Sequence, residues 1–424
     1  MSKEKPVFLI INELVNHRTP NRNHYSLTKA YNVANYMTSF ASVLFLTTSE
    51  PETVNNIDFV NKLDKKIIDK IDNVLFIRET NIHIILEKFN DLKEALDAED
   101  RKIKVGIKSD SLMWLKNKDL SKWVKNKYRK GVREWSYSFF DVLYVQIPAS
   151  IEPAMKLLKS DDDKKLRTSK MGVPPIPVDF DKVDNKFDDV LYVDTGRELK
   201  ENSALKPLKK TRYFQSLAKM DTECTIDKPI KLIYTGRIKT DQGRIAVMMS
   251  KIMKQLGNDY QLHIFPGKFV IPDVEVRDYS PKNTYHLQFL RDNVFYNNDN
   301  VFIHYPFDHG SRLNYLCHVD IGLDFSPTRP LDSQSPYGNS KLLDYCYAGL
   351  PVVTEKNVGN IHLVKEANNG IILRDNASVE DYVAAIKAVS KLDIDRKKVS
   401  EITIANNSWE DICKDISEDF AGSD

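Results

Sequence analysis

Cysteine is scarce in this 424-residue chain, long apolar runs are missing, and neither sign of charge dominates. The four cysteines, Cys224, Cys317, Cys346 and Cys413, stand far apart with no C-x-x-C pair. That argues against a structural zinc site and fits a reduced, cytoplasmic protein. No apolar run approaches the roughly 20 residues that a membrane span needs, so no transmembrane segment is expected. The apolar run of residues 7–11, behind Ser2-Lys3-Glu4-Lys5, is too short for a signal-peptide core and has no small-residue cleavage site. It reads as the first core strand. The 62 Lys+Arg against 60 Asp+Glu leave a net charge of +2, which excludes a strongly basic chain but neither demands nor excludes a nucleic-acid partner. No G-x-G-x-x-G follows the first run, which argues against a dinucleotide-dependent oxidoreductase.

What is present is an alternation of short apolar runs with amphipathic segments, the pattern of an α/β chain with parallel sheets. The length exceeds one hydrophobic core, so two domains are expected. Strands are expected over residues 7–11, 42–47, 73–77, 104–107 and 142–147, with helices over 25–39, 82–95 and 120–139. The rhythm restarts with strands at 231–234, 261–265, 301–304, 319–324 and 350–353. Ile245, Met248, Met249, Ile252 and Leu256 form one helical stripe, and Val379, Tyr382, Val383, Ile386 and Val389 another. Between residues 159 and 228 the rhythm breaks, with a charge run at Asp161-Asp162-Asp163-Lys164-Lys165 and an extended Pro174-Pro175-Ile176-Pro177. The expected domains are 1–200 and 201–405, followed by a terminal segment 406–424.

The most informative stretch is N-S-K-L-L-D-Y-C-Y-A-G-L-P-V-V-T, Asn339 to Thr354. Asn339 and Ser340 offer an N-cap. Leu342, Leu343, Cys346 and Tyr347 recur at helical spacing, and Gly349 closes the helix before a buried strand. The helix therefore presents its positive end at a loop, a ready place for phosphate, with Asp344 one turn in. A second motif, Y-T-G-R-I from Tyr234 to Ile238, puts Gly236 and Arg237 between a strand and a helix, where parallel sheets bind ligands. At the end of the chain, N-N-S-W-E-D-I-C-K-D-I reads as a helix capped by Ser408 with Trp409, Ile412, Ile416 and Phe420 on one face.

Together these motifs resemble GT-B glycosyltransferases, glycosyltransferase family 4 in particular, whose donor helix runs roughly K-L-x-E-Y-x-A-x-G-x-P-V-V. The resemblance implies two Rossmann-like domains facing across a cleft. An N-terminal acceptor-side domain and a C-terminal nucleotide-sugar domain are expected, with the terminal helix crossing back to the former. It implies transfer of a sugar from a nucleotide diphosphate sugar to an acceptor hydroxyl, with retention and without a metal. The donor would be a co-substrate, and no separate cofactor is expected. No D-x-D metal motif stands in a suitable loop. The resemblance gives Arg237 the diphosphate and Asp344 the ribose. It assigns donor binding also to Gly236, Tyr337, Gly338, Asn339, Ser340 and Lys341. The family's second cation is replaced by Gln242, so Lys239 or Arg244 supplies that charge.

Other family positions depart from the pattern. The first acid of the family's E-x7-E pair falls on Pro336, and Asp332 is the nearest acid upstream. The family histidine after the fourth strand is missing, and Asp110 or Lys108 stands in that region. The loop after the first strand has no glycine but carries His17, Arg18, Arg22 and His24. It binds phosphate or an anionic acceptor, or it is a solvated surface loop. A basic stretch, Lys116 to Arg133, is interleaved with Trp123 and Tyr128, and reads either as a solvated helix face or as a site for an anionic polymer. Three functions follow in order. The first is a glycosyltransferase acting on a glycan or other hydroxyl acceptor. The second is a phage-type enzyme that glycosylates a modified base in DNA. The third is a silent GT-B-like protein that binds a nucleotide sugar or carbohydrate.

Overall fold

The computed structural model describes residues 5–12, 25–77, 82–98, 100–109, 140–145, 166–168, 171–183, 229–236, 243–266, 294–295, 298–303, 312–325, 340–357 and 361–422. These fall into two compact units. One holds the described residues up to Pro175 and from Asn406 onward, the other those between Ile176 and Ala405.

The first unit runs β1 (Val7–Ile11), α1 (Tyr25–Met37), β2 (Ser42–Leu46), β3 (Glu52–Val54), β4 (Ile57–Val60), α2 (Lys65–Ile68), β5 (Asn73–Ile77), α3 (Ile82–Lys88), α4 (Asn90–Asp97), β6 (Lys104–Ser109), β7 (Val142–Val145) and β8 (Leu166–Thr168). Its sheet order is β3-β4-β2-β1-β5-β6-β7-β8, parallel except for the β3–β4 hairpin. That hairpin turns on Asn55 and Asn56, both at positive φ (54° and 62°), the conformation a two-residue hairpin loop requires. The central strands are apolar without alternation because both faces are covered. Leu9, Ile11, Val74, Phe76 and Ile107 pack with residues of α2, α3 and α4. Phe8, Ile10, Leu75 and Ile77 face Val33, Ala34 and Met37 of α1.

The second unit runs β9 (Ile230–Gly236), α5 (Gly243–Leu256), β10 (Tyr260–Pro266), β11 (Val301–Ile303), α6 (Arg312–Leu316), β12 (Ile321–Asp324), α7 (Ser340–Tyr347), β13 (Val352–Glu355), α8 (Ile361–Ala367), β14 (Gly370–Leu373), α9 (Val379–Val389) and α10 (Arg396–Asn407). All its strands are parallel, in the order β11-β10-β9-β12-β13-β14. The strand order reverses between β9 and β12, and ligands of doubly wound sheets bind at the carboxyl ends of such a pair. One face of the sheet packs on Met249 and Ile252 of α5 and on Tyr382 and Ile386 of α9. On the other face Tyr345 of α7 lies against Gly322, where any Cβ would run into its ring.

The last helix, α11 (Trp409–Ala421), belongs to the first unit and completes its sheet. Ser408 caps it by accepting from the Asp411 N–H at 3.0 Å. Trp409, Ile412, Ile416 and Phe420 join the face covered by α1. The Phe420 ring meets Phe8 edge-on at 5.0 Å and lies over Gly106.

Several expected elements change in detail. The helix expected over 82–95 is two helices, because Phe89 leaves helical geometry (φ −115°, ψ 76°) and is itself buried. The strand expected at 350–353 starts at Val352, since Gly349 turns the chain at φ 69° and Leu350 and Pro351 complete the turn. The β3–β4 hairpin, β8 and β14 were not expected from the pattern. The helix expected over 120–139 lies outside the described residues. The sequence places the first domain boundary at 200/201, whereas the structure divides the chain between Pro175 and Ile176. Val173 pairs with Ser408 and its N–H donates to the Asn407 carbonyl at 2.8 Å, which holds it in the first unit. Residues 176–183 are fastened to the second unit. The Tyr347 hydroxyl donates to the Ile176 carbonyl at 2.9 Å, and the Arg396 guanidinium sits 5.5 Å from the Phe180 ring centre. Among the described residues no helix is long and apolar enough to cross a membrane.

Candidate functional site

At the carboxyl ends of β9 and β12 the second sheet brings together residues that lie far apart in sequence. β9 ends at Gly236, whose φ of 128° is one that side chains rarely adopt. A Cβ there would sit 3.6 Å from the Lys341 Nζ. β12 ends at Asp324, which is fully buried. Lys341 Nζ lies 2.9 Å from Asp324 Oδ1, and the Thr354 hydroxyl donates to Asp324 Oδ2 at 3.2 Å. The Tyr382 hydroxyl donates to the Asp324 carbonyl at 3.1 Å. The acid is thereby held by β13 and α9 as well as by α7.

Lys341 also lies 4.4 Å from the centre of the Tyr234 ring, whose π face favours a cation. Burial works against its charge, but Asp324 and the neighbouring tyrosines outweigh this and leave the ammonium group harder to deprotonate than usual. The Tyr345 hydroxyl accepts the Thr235 N–H at 2.9 Å, tying α7 to the end of β9. Burial pushes that phenol up in pKa. The result is a charged, braced amino terminus of α7 beside the turn that leaves β9. Its chemistry suits an anion, since the helix dipole and the lysine both carry positive charge there.

Asp344 sits one turn further along α7. Arg312 Nη1, from α6, meets its Oδ2 at 2.7 Å, and the two side chains are 29% and 15% exposed. Burial raises the Asp344 pKa to about 6, against the opposing pull of Arg312.

Of the residues singled out in the sequence, the structure assembles Gly236, Ser340, Lys341 and Asp344 around this sheet end. Arg244 lies in the first turn of α5, its side chain outside the described set. Arg237, Lys239, Asp332, Tyr337, Gly338, Asn339 and Asp110 lie outside the described residues, as do the loop of residues 13–24 and the basic stretch of 116–133. In the first unit Lys108 is buried on β6, in register with Tyr144 of β7. Sequence reasoning missed Asp324, Tyr234 and Arg312 as members of the site. The first carried a signal, an acid ending an apolar strand beside the point where the order reverses. Arg312 carried none.

Solved glycosyltransferases match this chain along nearly its whole length. The crystal structure of a glycosyltransferase from Rickettsia africae matches with a TM-score of 0.60 at 12% identity, covering 99% of this chain and 99% of that one. An Escherichia coli structure, described as trehalose-6-phosphate bound with UDP-2-fluoro glucose, gives 0.59 at 11% identity, covering 99% of both chains. Alr3699/HepE of Anabaena, in complex with UDP and glucose, gives 0.56 at 8% identity, covering 99% of this chain and 100% of that one. No protein-family model matches the chain, and no curated protein matches its sequence. The chain therefore has the α/β fold of the GT-B glycosyltransferases, with two Rossmann-like units.

Proposed function

We propose that this protein is a glycosyltransferase that moves a sugar from a nucleotide diphosphate sugar to an acceptor hydroxyl. The observation that carries the reading is the Lys341–Asp324–Tyr234 cluster behind the amino terminus of α7, at the strand-order reversal of a sheet whose fold is that of these enzymes. Two of the matched structures hold UDP or a UDP-sugar compound, which supports a nucleoside diphosphate as the anion. In this reading the α7 N-terminus, Arg237 and either Lys239 or Arg244 face the diphosphate. Tyr337, Gly338, Asn339 and Ser340 supply the loop, and Asp344 accepts from the ribose. Asp332 and Asp110 lie toward the transferred sugar. As the bond from the anomeric carbon to the phosphate oxygen breaks, negative charge gathers on the departing diphosphate. Fixed cations and helix N–H groups stabilise it without a metal. Retention of the anomeric configuration is part of the proposal, carried over from the family 4 resemblance. So is a cytoplasmic location, supported by three described cysteines that are all free.

The test is a thermal-shift screen with UDP, GDP, ADP and their sugars, because a ligand of the native state raises the apparent melting temperature. At least one nucleotide is expected to do so, and donor turnover is expected with a suitable acceptor. Arg237→Ala should leave the melting temperature unchanged and reduce kcat by roughly 100- to 1,000-fold, the loss typical of one donor to a developing anion. No shift with any nucleotide would refute the reading. Nucleotide binding without hydrolysis or transfer of any donor would instead favour a silent binding protein.

A further inference from the structure

The Asp344–Arg312 pair is a built feature that the resemblance does not anticipate. α6 and α7 are joined at both ends. At their carboxyl ends one half-buried guanidinium, that of Arg396, donates to the carbonyls of Leu316 at 3.0 Å, Cys317 at 3.0 Å, Val319 at 3.2 Å and Ala348 at 3.1 Å. Toward their amino ends Arg312 reaches Asp344. α6 is further fixed by Tyr315, whose ring lies 5.0 Å from that of Phe265 near the end of β10, and by the buried Leu316. Arg312 is thus presented from a braced helix to the Asp344 carboxylate.

We infer that Arg312 is a positioning residue for the nucleotide: it holds Asp344 ionised and oriented, so that the carboxylate can accept a ribose hydroxyl. This rests on the donor reading above. A protonated carboxyl would offer one hydroxyl donor and lose the strong, charge-assisted acceptance that a ribose hydroxyl gains from an anion. Burial drives Asp344 toward that neutral form, and Arg312 is the charge that opposes it. Several other titratable groups lie on α7 and on the elements beside it. Lys341 is turned to Asp324 of β12, and the Tyr345 hydroxyl to Thr235 of β9. Cys346 lies beside Asn369, and both Glu366 of α8 and Asp344 itself bear on that thiol. Tyr347 donates to Ile176, Glu355 is buried at the end of β13, and His362 and Lys365 sit on α8. An arginine within hydrogen-bond reach lowers a carboxyl pKa by about 1–3 pH units, so its removal raises the ionisation midpoint by the same amount.

The experiment is calorimetric titration of the full chain with the tightest binder among UDP, GDP and ADP, from pH 5 to pH 9. Wild-type affinity should rise through a midpoint near the Asp344 value of about 6 and then level off. In Arg312→Gln the midpoint should move up by about 1–3 pH units, weakening binding by about 2- to 90-fold at pH 7 and recovering to within about twofold at pH 9. Arg312→Lys should restore most of the wild-type profile. In Asp344→Asn only the pH dependence of the nucleotide's own terminal phosphate, which ionises at about pH 6, should remain, and adding Arg312→Gln should then change little. A uniform loss of affinity in Arg312→Gln, with the midpoint unmoved, would show a merely structural arginine and overturn the inference while the donor reading stands. A pH-independent wild-type affinity would do the same. Failure of every nucleotide to bind the wild-type chain would remove the donor reading and this inference together.

Discussion

The two units solve the same packing problem with different pieces of chain. In the second, both faces of the sheet are covered by helices that follow their strands closely, α5 and α9 on one side and α7 on the other. In the first, α1 covers only part of one face, and the remainder is closed by α11 from the end of the chain. Lys104 Nζ donates to the Phe420 carbonyl across 316 positions, and the Tyr144 hydroxyl donates to Asp419 across 275. The charges differ in the same way. In the second unit the ion pairs Lys341–Asp324 and Arg312–Asp344 stand at the sheet end that would meet a ligand. In the first, the cross-chain ion pair Arg167–Asp419 fastens the closing helix. These two pairs of the second unit gather at the carboxyl ends of its strands, whereas Arg167–Asp419 of the first ties the terminal helix to its sheet.

The largest expected effect tests the closure. Phe420→Ala removes a ring that fills the space above Gly106 and against Phe8, and should destabilise the first unit by about 3–5 kcal/mol. Hydrogen exchange followed by mass spectrometry should show protection lost in β1, β5 and β6 and kept in β9 and β12. Equal loss in both sheets would end the comparison.

Almost as large is the effect expected at the second unit's buried pair. Lys341→Met takes the cation from beside a fully buried carboxylate, a change of roughly 3–5 kcal/mol, measured by the urea midpoint. The double variant Lys341→Met with Asp324→Asn should recover most of that stability and still fail to bind nucleotide. If the double variant binds nucleotide as the wild type does, the pair is structural and lies outside the site.

A smaller effect is expected from Asp344. Its folded pKa is raised from the ordinary 3.8 to about 6, so the folded state holds its proton more tightly than the unfolded chain does. Its contribution is therefore fully present below about pH 4 and is lost as pH rises to about 6, a change of roughly 3 kcal/mol at most. The stability difference between wild type and Asp344→Asn should shift by that amount, in favour of the variant, between pH 4 and pH 7. A constant difference across that window would show that burial does not raise the Asp344 pKa in the folded protein.

The smallest effect concerns the basic stretch of residues 116–133. With a neutral glycan acceptor, acceptor affinity should change little between about 50 and 200 mM salt. A DNA acceptor would instead give a slope near −0.9 per phosphate contacted. Tight, salt-sensitive binding of duplex DNA would move the acceptor assignment from glycan to nucleic acid.

Much of this architecture was legible without coordinates, and the reason is local. Apolar runs such as V-F-L-I-I and N-V-L-F-I can satisfy their backbone only as strands covered on both faces, which announces a parallel sheet. The stripe from Ile245 to Leu256 and the Ser408 cap depend on residues within a few positions of one another, so α5 and α11 could be read directly. Helix α7 and the glycine that closes it were visible for the same reason. Phe89 was not, because the break between α3 and α4 reflects where its ring is buried rather than any local breaker.

The sequence by itself determined the α/β class, the two-sheet rhythm, the core stripes and the location of a positively charged helix start near Lys341. Only the tertiary structure decided which charges meet. Thr235 and Tyr345 are bonded across 110 positions, and Lys341 and Asp324 come together because β12 runs beside β9. The partnership of Arg312 with Asp344 depends on α6 and α7 being tied by Arg396. Hydrophobic periodicity is written in neighbouring residues and can be read along the chain. An ion pair between distant residues exists only once strand order and helix placement have set the distance between them, and that distance decides the strength of the interaction.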